Sequence, residues 1–274
     1  MSPLDTYTSI DVNRVTAFPL TNAGAFDLTA PQTALYEGVE FEGPVGFDVS
    51  FGAPRQIPVV AQGQVQATFI LPSIEARTGT LRCAYDKLTL AAMLGGLTVD
   101  TIGTAKAIAE DTDRSGQETL VALLLQQLQA KDESGALIWR SDIVHRATIV
   151  PSPTSYTAEP LVKEYQIAMS RSSKRMWGES YTLATHGCLE ATKDVGLSQY
   201  KFNIGVWVGD NIVTAFTLPT GKAARLSSSA KVWDFVTDAA RAGSWNNGGV
   251  QSTTFTPGVK PTSGVVLVCV YEHD

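Results

Sequence analysis

Side chains able to do chemistry are few in this chain and widely scattered. Histidine occurs at 145, 186 and 273, and cysteine at 83, 188 and 269. Their one close pairing is His186-x-Cys188, which has the composition of half a Cys/His nucleophile site. A loop histidine beside a small buried thiol accounts for it better, and that is the reading adopted. His145 alternates with Ile143 along a strand, as a half-buried ring would, and His273 stands one residue from the end and reads as solvated. Glu110-Asp111-x-Asp113 has the hard oxygens a Ca²⁺ ion takes. It lacks the glycine and ligand period of an EF loop, so it reads as a solvated acidic loop. Phosphate cradles need close glycines ahead of a helix. Gly95-Gly96 follows a helical stretch and Gly248-Gly249 follows Asn246-Asn247, so these pairs read as a stop and a turn. No GxSxG elbow occurs. The expectation is no catalytic residue, no metal site and no cofactor: the chain is not read as an enzyme.

Two other features are candidates for contact. Glu40 and Glu42 share one face of a strand, and in a ring-forming protein that face could line a lumen; a plain solvent face fits them too. Trp245 lies in Gly243-Ser244-Trp245-Asn246-Asn247-Gly248, a loop tip, where an exposed indole can stack on sugar rings. Trp207 and Trp233 each stand in an apolar strand and are expected in a core.

The elements that would position these residues are mostly strands. The 274 residues are 44% hydrophobic and 18% charged, which excludes a disordered chain. Net charge is −6, with no Lys/Arg run beyond Lys174-Arg175, so a tight nucleic-acid groove is not expected. Three widely spaced cysteines give no disulfide framework, which suits folding in a reducing cytoplasm. The opening Met1-Ser2-Pro3-Leu4-Asp5 has neither a basic nor an apolar region of a secretory signal. No apolar run approaches the roughly 20 residues that cross a bilayer, so no membrane partner is expected.

Residues 1–32 read as an arm with at most a short strand, broken at Asn22-Ala23-Gly24 and Ala30-Pro31. Val45, Phe47, Val49 and Phe51 alternate onto one face, and Val65, Ala67, Phe69 and Leu71 do the same. A short helix is expected over 86–94, capped by Asp86 and stopped at Gly95-Gly96. Residues 119–130 admit two readings. Ser115-x-x-Glu118 is a capping box ahead of a helix, whereas 120–130 and 136–150 around a polar turn read as a hairpin, which is preferred. Pro151-Ser152-Pro153 ends the second run, and Tyr165, Ile167 and Met169 mark one more strand. A boundary is expected near 198–202, giving domains 1–200 and 201–274.

The C-terminal part carries Gly209-Asp210-x-x-x-Thr214-x-Phe216-Thr217-Leu218-Pro219, then Lys231-Val232-Trp233. It closes with Thr254-Phe255-Thr256-Pro257-Gly258 and Pro261-x-Ser263-Gly264 running into 265–271. This order resembles the Ig-like β-sandwich module appended to phage tail and other virion proteins. The order of elements over 30–175 resembles the major tail (tail tube) protein of long-tailed phages. The resemblance implies a mainly β chain: a tail-tube-like β-sandwich with one short flanking helix, plus a small C-terminal β-sandwich facing outward. It implies stacked, hexameric rings of this chain around a DNA conduit, with 42–62 as a ring-stacking loop and Asp48, Arg55 and Gln56 as its candidate contact residues. Expected partners are further copies of the chain and the terminator, tape measure and distal tail proteins. Genomic DNA would pass through without specific binding, which a mildly acidic lumen favours. The chain would be made in the host cytoplasm and reside in the virion. A glycan-binding two-domain β module, or another tail or baseplate part, remains the alternative.

Overall fold

Alternating apolar residues force most of this chain into sheets. The computed structural model describes residues 11–28, 32–41, 43–50, 55–61, 64–71, 77–83, 88–95, 99–108, 119–131, 134–151, 163–170, 172, 192–198, 200–226, 230–237 and 239–273. The strands open with β1 (Asp11–Pro19), β2 (Gln32–Tyr36), β3 (Val39–Phe41), β4 (Pro44–Ser50), β5 (Arg55–Ala61), β6 (Gln64–Leu71) and β7 (Arg77–Cys83). Helix α1 (Leu88–Gly95) follows, then β8 (Val99–Ile102), β9 (Ala105–Ile108), β10 (Thr119–Lys131), β11 (Leu137–Pro151), β12 (Lys163–Met169) and β13 (Thr192–Ser198). The last part holds β14 (Lys201–Val208), β15 (Phe216–Thr217), β16 (Ala224–Leu226), β17 (Lys231–Asp234), β18 (Ala239–Ala240) and β19 (Gly243–Trp245). It ends with β20 (Val250–Ser252), β21 (Thr254–Pro257) and β22 (Val266–His273). The fold is mainly β, with one short α-helix among the described residues.

Two eight-stranded sheets dominate. The first runs β3-β1-β10-β11-β12-β7-β4, with β13 also paired to β11; the second runs β18-β17-β22-β14-β2-β15-β21-β19. In the first, β4 comes alongside β1, so the sheet curls around its contents. Inside lie Val15, Phe41, Leu81, Leu123, Val144, Ile149, Tyr165 and Ile167, joined by Leu90 and Leu94 of α1. The outer face of β1, β10 and β11 meets the second sheet through Phe18, Leu20, Ala122, Leu124 and Ile143 against Ile204, Val206, Trp233, Val268 and Val270. A third cluster, with Leu35, Trp207, Phe216, Phe255 and Tyr271, covers the far face of the second sheet.

This layering explains the ambiguous run at 119–130. Val121, Leu123 and Leu125 face the first cluster while Ala122 and Leu124 face the second, so β10 is apolar on both sides. A strand buried on both faces loses its alternation and reads like a helix. The chain adopts the hairpin: Thr119 pairs with Ile149 and Lys131 with Leu137. At His145-Arg146 the ladder slips, since Val121 faces Ala147 but Leu123 faces Val144. The resulting bulge keeps Val144 and Ala147 in one core although they are three positions apart.

Four expectations are corrected. The N-terminal arm carries a nine-residue strand, β1, which sits inside the first sheet between β3 and β10. Its Val15, Ala17 and Phe18 are buried, and that apolar area outweighs the turn signals further along. The stretch 42–62 holds β4 and β5 rather than one long loop. His273 is buried at 5% exposure because β22 carries its ladder with β14 to the Lys201–His273 pair. His145 is likewise buried rather than half-buried. The helix begins at Leu88, and the proposed cap Asp86 lies outside the described residues.

The expected boundary at 198–202 falls where the chain leaves β13 in the first sheet and enters β14 in the second. The second sheet also contains β2, from residues 32–36, between β14 and β15. Residues 20–39 thus run out of the first sheet, through the second and back. The return is made at Gly38, whose φ of +80° is open to glycine and where a Cβ would lie 2.6 Å from the Ala17 carbonyl oxygen.

Candidate functional site

Strands β4, β7 and β12 form one wing of the first sheet, with a buried and a wet face. Tyr165, Ile167 and Met169 point inward, and the burial of β12 alternates accordingly. On the wet face, registers place Asp48 beside Thr80 and Glu164 beside Arg82. Arg82 Nη1 donates to Asp48 Oδ2 and its Nε to Glu164 Oε1, both at 2.8 Å, while Thr80 Oγ1 donates to Gln166 Oε1 at 3.3 Å. The Glu164 hydrogen bond and the Asp48 charge raise the Arg82 pKa, so the guanidinium stays charged. The wing therefore presents a polar face of small and acidic side chains crossed by one guanidinium. It suits contact with a hydrated surface, and an exposed pair of this kind adds little to stability.

Asp48 thus belongs to a strand and an ion-pair chain, not to a loop. Arg55 and Gln56 open β5, which pairs only with β6 among the described strands. Its register sets Ile57 beside Phe69 and Val59 beside Ala67. Glu40 is exposed on β3, 3.3 Å from Arg14 Nε, whose Nη1 lies 3.5 Å from Gln126 Oε1. Glu42 lies outside the described residues, so the structure brings Glu40 together with Arg14 and is silent on its expected partner. Trp245 is half-buried and packs on Phe255, ring centroids 5.2 Å apart at 53°. Trp207 and Trp233 are in the core as expected.

Among the described residues, no three His, Cys, Asp or Glu side chains come together to hold a metal ion. His186, Cys188 and the cluster at 110–113 lie outside them. No described helix is long and apolar enough to cross a membrane. No family model matches the chain, and no curated protein does. The geometry must speak for itself.

One polar group escaped the sequence reading. Glu37, directly after β2, accepts hydrogen bonds from Lys222 Nζ at 2.8 and 3.0 Å, from Asn203 Nδ2, and from the Tyr271 hydroxyl at 3.2 Å. Asn203 Nδ2 also donates to the Tyr271 oxygen at 2.8 Å, and Asn203 Oδ1 accepts from the Ile204 amide at 3.1 Å. Asn203 and Tyr271 are buried. Burial first, and the Glu37 charge second, push the Tyr271 phenol far above its usual range, so it remains a neutral donor. The four residues come from the end of β2, the starts and ends of β14 and β22, and the connection before β16. The β14–β22 register sets Asn203 beside Tyr271 and the pairing of β2 with β14 adds Glu37, and no local motif signals either.

Proposed function

We propose that this chain is a structural virion protein, the major tail tube subunit of a long-tailed phage. It polymerises as stacked, hexameric rings around the DNA conduit, with the second sheet facing outward. The observation that carries this reading is the hairpin β5–β6, a two-stranded sheet of its own beside two large sheets. A two-stranded ribbon is marginal in water and needs a surface to lie on. Its register pairs Ile57 with Phe69 and Val59 with Ala67. Among the described residues, β3 and β4 end the first sheet and β18 and β19 the second, and strands of neighbouring copies added there would remove those edges on assembly.

On this reading Asp48, Arg82 and Glu164 form a hydrated wall, and DNA passes without specific binding. The other partners are the terminator, tape measure and distal tail proteins. Electron microscopy of the concentrated protein tests the proposal. The intact chain should give rings or tubes with a central hole. A chain whose residues 55–71 are replaced by a short Gly/Ser connection should give rings that no longer stack. Intact protein that stays monomeric, or a hairpin-free chain that still forms tubes, would overturn it.

A further inference from the structure

Lys222 and Asn203 are 19 positions apart, and both nitrogens donate to one oxygen, Glu37 Oε1. A primary amine and a primary amide held on one carboxylate are the reactants of an amide exchange. We propose that this site is self-modifying, forming an isopeptide bond between Lys222 Nζ and Asn203 Cγ, with Glu37 carrying the protons.

Each neighbour has a part in the step. Lys222 passes a proton to Glu37 along their 2.8 Å contact, leaving a free amine and a neutral carboxylic acid. Burial of Asn203 and Tyr271 keeps competing water away from the amide that is attacked. The amine nitrogen then attacks Asn203 Cγ. Charge develops on Oδ1, where the Ile204 amide already donates at 3.1 Å. The Tyr271 oxygen holds the leaving Nδ2 at 2.8 Å. Collapse of the tetrahedral intermediate forms the Nζ–Cγ bond and breaks the Cγ–Nδ2 bond. Of the three lysine ammonium protons, one stays on the new amide nitrogen and two leave with the –NH₂ group as ammonium. Glu37 ends as a carboxylate, so charge and atoms balance and no oxidant is required.

The product ties β14 to the connection before β16 by a covalent bond beside Tyr271 of the third core cluster. Its site is assembled by β2, so the reaction would follow folding and mark it as complete.

Mass spectrometry of the folded, full-length protein after incubation at neutral pH decides the matter. The intact chain should be one ammonia lighter than its sequence. Trypsin should fail to cut after Lys222, yielding peptide 202–225 lighter by that ammonia. Glu37→Gln should slow the loss by roughly a hundredfold or more. Lys222→Arg should retain the ammonia entirely. Wild-type protein that is cut after Lys222 and releases peptide 202–222 at its sequence mass would overturn the proposal. Equally fast loss in Glu37→Gln would overturn the role of Glu37.

Discussion

Leu35 occupies the space that a side chain at Gly205 would need: a Cβ there would lie 2.2 Å from Leu35 Cγ. A residue of β2 is in this way seated on the backbone of β14, in the same core as Trp207 and Phe216. Gly205→Ala should therefore cost about 1–3 kcal/mol by overpacking. Leu35→Ala should cost about 2–5 kcal/mol by leaving a cavity. In the double variant the two costs should not add, because one change relieves the clash of the other. Thermal or denaturant unfolding of the four proteins measures this coupling, and strict additivity would mean that the two residues do not meet.

The second sheet depends on residues before 200. Its central strands include β2, and half of the buried cluster between the sheets comes from Phe18, Leu20, Phe26, Ala122, Leu124 and Ile143. A fragment of residues 201–274 alone should lack a cooperative unfolding transition and a dispersed amide spectrum. Adding back residues 11–151 on the same chain should restore both.

Leu124 is 1% exposed at the contact between the sheets. Leu124→Ala should destabilise the whole protein by about 2–5 kcal/mol in a single transition. Two separate transitions by circular dichroism would show that the sheets unfold independently.

Arg82→Ala removes two exposed ion pairs at once. Stability should hardly change, since water screens both contacts. Any larger effect should appear in the salt dependence of self-association, measured by light scattering, rather than in unfolding.

Tyr271 makes the protein sensitive to alkali. Its phenol is held neutral in the fold but ionises near pH 10 when unfolded. Below about pH 10 both states bind the proton and stability is unchanged by this group; above it the unfolded state loses the proton first, so stability falls. Tyr271→Phe should lower stability at neutral pH by about 1–2 kcal/mol through the lost hydrogen bonds. It should also make the decline above pH 10 shallower. An unchanged alkaline slope would place the sensitivity elsewhere.

Much of the strand content was legible because one-sided burial writes itself as alternation. Tyr165, Ile167 and Met169 mark β12, and Phe47 marks β4, since each faces a core while its neighbours face water. Trp207 and Trp233 were placed in the interior for the same local reason. Alternation fails where both faces are covered, as in β10, and turn signals mislead where a strand is secured by distant partners, as in β1. The candidate site was less legible still. Asp48, Arg82 and Glu164 could be seen as charged residues, but their meeting depends on the registers β4–β7 and β7–β12. Glu37 lies 166 positions from Asn203 and 234 from Tyr271. Periodicity reports which face of an element is apolar; it carries no information on which element lies opposite. The sequence alone therefore determined a mainly β chain and its local faces. Only the tertiary structure decided that residues 32–37 cross into the second sheet, because that choice rests on long-range packing such as Leu35 on Gly205.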